Sequence, residues 1–181
     1  MFGKIAGSLS ASGLNILGAQ IFTRADGIAL DTFYVNDART GNLGEREQHD
    51  QFALLLEKVL NNEPVSLPAL IARQLPKRTD YQAYAGEHIT TELQFDNETS
   101  DTRTLIEIEA EDRLGLLYAI SQTFAELALD ISGARIVTER GAAIDSFYVC
   151  EQGGGKVTAP ERITAIETRL REAIQKLALN P

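Results

Sequence analysis

The sequence predicts an α+β protein of two βαββαβ units with antiparallel sheets, each unit one strand short. Three observations predict it. A long stretch of chain occurs twice, each copy reads helix, strand, strand, helix, and a tight turn joins the two strands of each copy.

The duplication comes first because a repeat decides how everything else is read. Residues Ile5 to Val35 and Ile120 to Val149 align with Leu14 on Leu129, Ile16 on Ile131, Gly18 on Gly133, Ala19 on Ala134, Ile21 on Ile136 and Thr23 on Thr138. The offset is 115, from Leu14 to Leu129, and becomes 114 after a turn one residue shorter in the second copy, from Asp31 to Asp145. Phe33, Tyr34 and Val35 then match Phe147, Tyr148 and Val149. Small, apolar and acidic positions stay in register together, which chance similarity does not produce.

Each element follows from its pattern. Leu117, Ile120, Phe124 and Leu127 recur at helical spacing and form one apolar face. Asp130 to Thr138 is rich in Ile and reads as a strand, and Ala142 to Cys150 is the next, with Ile144, Phe147 and Val149 as its apolar members. Gly141, or Asp26-Gly27 in the first copy, suits the hairpin turn. After Gly153-Gly154-Gly155, Thr158 and Glu161 have capping-box spacing and Pro160 is tolerated in a first helical turn. Ile163, Ile166, Leu170, Ile174 and Leu177 make that helix's buried stripe, matched in the first copy by Phe52, Leu55, Leu56, Val59 and Leu60. Two more alternating segments, His88 to Phe95 and the stretch with Leu105, Ile108 and Ala110, read as strands. The units are then residues 1–65 plus 86–98, lacking a first strand, and 102–181, lacking a last one. Residues 66–85 form a Pro-containing linker with one short helix at Ala69 to Gln74.

Composition excludes several functions. No apolar run approaches the roughly 20 residues of a membrane helix, and the N-terminus makes a poor signal peptide. A net charge of −9 argues against a nucleic-acid partner. Cys150 is the sole cysteine, which fits a cytoplasmic setting, and its place in a strand suggests a buried thiol. His49 and His88 stand apart from other metal ligands, and Gly153 to Val157 lacks the spacing of a phosphate loop. No catalytic residues, cofactor site or metal site is expected.

Glu111-Asp112-Arg113-Leu114-Gly115-Leu116-Leu117, between a strand and a helix, together with Leu129 to Ile136 and Ala143 to Val149, resembles an ACT domain. The whole chain resembles the tandem ACT-domain region at the C-terminus of bacterial PII-uridylyltransferase/uridylyl-removing enzymes. The resemblance implies ferredoxin-like units, a regulatory role in nitrogen metabolism, sensing of an amino acid (glutamine), and contact with a PII protein through a parent enzyme. Two departures stand out. Leu114 occupies the place of the family's usual Pro, and Met1 aligns with Leu116, so the first copy lacks the strand and loop that precede the helix. The chain is read as a fragment of a longer protein, or as one whose gaps another chain fills, and unpaired sheet edges predict a homodimer.

In ACT-type regulators the ligand lies between the loop of one unit and a strand start of a neighbour. By that resemblance Asp112, Arg113, Leu114 and Gly115 would face Asn15 and Ile16, or Asp130 and Ile131. The chemistry suits an amino acid: amides opening a helix receive the carboxylate, Gly115 permits close approach, and acidic or amide oxygens receive the ammonium. Structural readings compete. Asp112 is also a good N-cap, Asn15 and Asp130 could simply end turns, and Asp31 and Asp145 read as solvent-facing or hydrogen-bonded strand positions. A module used only for association, without ligand, is the alternative function.

Overall fold

The computed structural model describes residues 1–23, 28–74 and 89–179. The Asp26-Gly27 turn, Pro76 and His88 lie outside these residues. The elements run α1 (Phe2–Ala11), β1 (Leu14–Thr23), β2 (Ala29–Asp37), α2 (Arg46–Leu60), α3 (Leu67–Gln74), β3 (Glu92–Asp96), β4 (Thr104–Glu111), α4 (Leu116–Glu126), β5 (Leu129–Glu139), β6 (Ala142–Glu151) and α5 (Pro160–Leu179).

Six strands make one antiparallel sheet in the order β2-β1-β5-β6-β4-β3. The two copies meet at the β1–β5 pairing, which repeats itself: Ala19 faces Ile136 and Ile21 faces Ala134, while Gln20 faces Arg135. The two hairpins also share a register shift at equivalent places, Ile16/Gly18 and Ile131/Gly133. Gly18 opens a close approach, since a side chain there would stand 3.3 Å from the Ile136 carbonyl oxygen.

The strand alternation sorts residues into two faces. On β6, Ala143, Asp145, Phe147 and Val149 are buried, while Ile144 is exposed. On β4, Ile106, Ile108 and Ala110 are buried and Glu107 and Glu109 are exposed, as the alternation of acids predicts. The buried rows meet Phe2, Ala6 and Leu9 of α1, Leu117, Ile120 and Phe124 of α4, and Ile166, Leu170 and Ile174 of α5. Phe124 lies edge-on to Phe147, ring centres 5.2 Å apart, a pairing that adds roughly 1 kcal/mol beyond its buried area. A smaller cluster joins Ala11, Leu55, Val59, Leu67 and Ile71, tying α2 and α3 to α1.

One element sits elsewhere than expected. The segment Glu92–Asp96, read above as completing the first unit, pairs along β4, with Leu93 opposite Ile108 and Phe95 opposite Ile106. The short connection 97–103 explains it. Asp96 accepts from the amides of Glu98 and Thr99, turning the chain straight back beside itself. Buried Thr104 then locks the corner, donating to Asn97 Oδ1 at 2.7 Å and accepting from the Val157 amide at 2.8 Å. Among the described residues, β2 and β3 are therefore the two edges of the sheet.

Candidate functional site

The strand–loop–helix junction at Asp112 to Gly115 meets the start of β1. The Asp112 amide donates to the Gly141 carbonyl at 2.8 Å, which fixes the loop against the β5–β6 turn. Gly115, at φ 88°, is the N-cap of α4, and no side chain caps that helix. The N-cap reading of Asp112 is therefore corrected: its carboxylate has another partner. Only a left-handed residue makes this turn, and a side chain at Gly115 would also stand 3.1 Å from Ile71 Cγ2. Asn15 Nδ2 donates to Asp112 Oδ2 at 3.0 Å, across 97 residues of chain.

These groups line a small cavity together with Ser10, Ile16, Arg113, Leu116, Leu117, Ile136, Thr138, Ala143 and Asp145. Its enclosed space is about 10 Å³, room for one water-sized group. Arg113 turns to Glu111, 2.7 Å away, in a pair exposed enough to contribute little to stability. Leu114 is buried and does not line the cavity.

For Asp145 the solvent-facing reading does not hold. The residue is 2 % exposed, points to the helix side of β6, and its Oδ1 has no hydrogen-bond partner among the described residues. Burial first, and the nearby Asp112 charge second, push its carboxyl up to about 8. Burial also raises Asp112, against hydrogen bonds from Asn15 and the Arg113 backbone that favour its charged form. A signal was present in the sequence: strand alternation sets Asp145 in the same row as Phe147 and Val149.

Asp130 and Ile131 are not part of this cavity. They line a second one, of about 440 Å³, with Met1, Phe2, Gly3 and Lys4 of the α1 start, Ile21, Asp31, Ala125 and others. This cavity repeats the first. At the duplication offsets Asp130 stands for Asn15, Ile131 for Ile16, Ile21 for Ile136, Asp31 for Asp145, Met1 for Leu116 and Phe2 for Leu117.

A family model described as an ACR9-like, ACT-like domain matches residues 92–179. Residues 92–179, just under half of the chain, are thus similar to an ACT-like domain. Relatives align along nearly all of the chain. A bifunctional uridylyltransferase/uridylyl-removing enzyme of Azospirillum brasilense is 38% identical over 96% of this chain and 18% of its own length. Enzymes of the same name from Ruegeria pomeroyi (34% identical, over 96% of this chain and 19% of the relative) and Phenylobacterium zucineum (35%, over 97% and 18%) are similar to it as well. The chain thus spans less than a fifth of these relatives' length. No solved structure matches it. No helix among the described residues is long and apolar enough to cross a membrane.

Proposed function

We propose that this chain is a regulatory module of two ACT-like units that senses an amino acid, glutamine, on behalf of a uridylyltransferase/uridylyl-removing enzyme acting on a PII protein in nitrogen regulation. The observation that carries the reading is the Asn15–Asp112 hydrogen bond, which joins the helix-opening loop to the start of the duplicated strand. Amide donors at the α4 start can take a carboxylate, and Asp112 and Asn15 offer oxygens to an ammonium group. The enclosed space is smaller than a whole amino acid, so binding requires the loop to move outward, with Gly115 as the joint.

Titration calorimetry with a panel of free amino acids tests this. Saturable heat with glutamine, and none with a nonpolar amino acid such as leucine, is the expected result. Absence of saturable heat with every amino acid would leave only an association module. For that second reading the support is the β2 edge, where Leu30 and Tyr34 are 64% and 62% exposed. The same exposed edge supports a homodimer, read by light scattering as twice the 19.8 kDa chain mass.

A further inference from the structure

We propose that Asp145 is the residue that receives the ammonium group of the amino-acid ligand, giving up its own proton to solvent as the ligand enters. The inference rests on the amino-acid reading above and names the anchor of that site.

Three observations converge on Asp145. It is buried and lines the same cavity as the hydrogen-bonded pair Asp112 and Asn15. One of its oxygens is buried without a partner among the described residues, an arrangement that a folded protein rarely retains without use. The enclosed space holds one group of about the size of water, which is the size of an ammonium nitrogen with its hydrogens.

Charge chooses the occupant. The ionisable groups lining this space are Asp112 and Arg113 of the loop and Asp145 of β6, and Arg113 is engaged by Glu111. α1 contributes Ser10, β1 Asn15 and Ile16, α4 Leu116 and Leu117, and β5 Ile136 and Thr138, all uncharged. Among the described residues, two carboxyls therefore share a site without a facing cation. Empty, the site lowers its charge by keeping a proton on Asp145, whose carboxyl is pushed up to about 8. An arriving ammonium replaces that proton as the positive charge. The carboxylate of the same ligand then points outward, toward the amides that open α4. The second cavity holds Asp31 at the equivalent position, but it is far larger and its lining includes Lys4, so it does not repeat this cation-free arrangement.

The proton balance makes the proposal measurable. At pH 7 the empty site holds its Asp145 proton in about nine molecules of ten, so glutamine binding should release close to one proton. Affinity should rise about tenfold per pH unit between pH 6 and 7 and level off above 8. The experiment is calorimetric titration of the full chain with L-glutamine in phosphate and in Tris, whose ionisation heats differ. Asp145→Asn should lose at least tenfold in affinity and all buffer dependence, while Asp31→Asn should keep both. Wild-type binding without proton release, or Asp145→Asn binding as tightly as wild type, would overturn the anchor and leave the amino-acid reading intact. Loss at Asp31→Asn alone would move the ammonium to the second cavity and also overturn it. No saturable heat with wild type would overturn both. Should Asp145→Asn fail to fold, the wild-type proton count decides alone.

Discussion

Replacing Asp145 by Asn should stabilise the protein, and by more as the pH rises. In the unfolded chain an Asp loses its proton near 3.8, whereas in the fold burial and Asp112 hold the Asp145 proton up to about 8. Between those values the folded state binds the extra proton. Stability from this group is therefore complete below about pH 4 and is lost progressively as the pH climbs toward 8. Each unit of pH in that window is worth about 1.4 kcal/mol, so the cost is roughly 4 kcal/mol at pH 7 and between about 1 and 2 kcal/mol at pH 5. Asn has nearly the same shape and no proton to lose, and its amide can donate toward Asp112. Urea unfolding followed by circular dichroism at pH 5, 6, 7 and 8 reads the difference. A stability difference that stays constant with pH, or that turns against Asn as the pH rises, would refute the buried-carboxyl argument. A residue that costs stability at working pH is what a ligand anchor looks like.

Three further outcomes follow from the packing and the turns. Gly115→Val should destabilise by roughly 1–3 kcal/mol, because φ is 88° and the new side chain meets Ile71, and thermal unfolding would show a lowered midpoint. Thr104→Val should cost about 1–3 kcal/mol by leaving the buried Val157 amide without its acceptor, measured by denaturant unfolding; an unchanged midpoint would contradict it. Phe124→Ala should cost about 3–5 kcal/mol, since the ring is fully buried against Phe147, and a smaller loss would mean the core collapses around the gap.

Much of the fold could be read in the sequence because its signals are periodic. Ile120 and Phe124 on α4, and Ile166, Leu170 and Ile174 on α5, are buried as their helical spacing predicts. The strands β5 and β6 fall within a residue or so of the expected spans. The partner of β3 could not be read, because alternation shows which face a strand buries and not which neighbour it takes. The turn at Asp96, a side chain accepting from two amides, decided that pairing. At the site, the duplication together with the ACT resemblance brought Asn15 to Asp112. It did not separate Asp130 and Ile131 into a cavity of their own, because that requires knowing that β1 and β5 run side by side. The sequence left Asp145 open between a solvent-facing and a hydrogen-bonded place, because a charged residue in a strand invites an outward reading even where the row it belongs to points inward.

The central claim is that an amino acid binds where the Asp112–Gly115 loop meets β1. Amide spectra of the isotopically labelled chain, recorded by NMR as glutamine is added, test it most directly. Saturable shifts are expected to concentrate at Asn15, Ile16, Arg113, Gly115 and Leu116, with the second cavity at Asp130 and Gln152 changing less. Spectra that do not move, or that move only around Asp130, would contradict it.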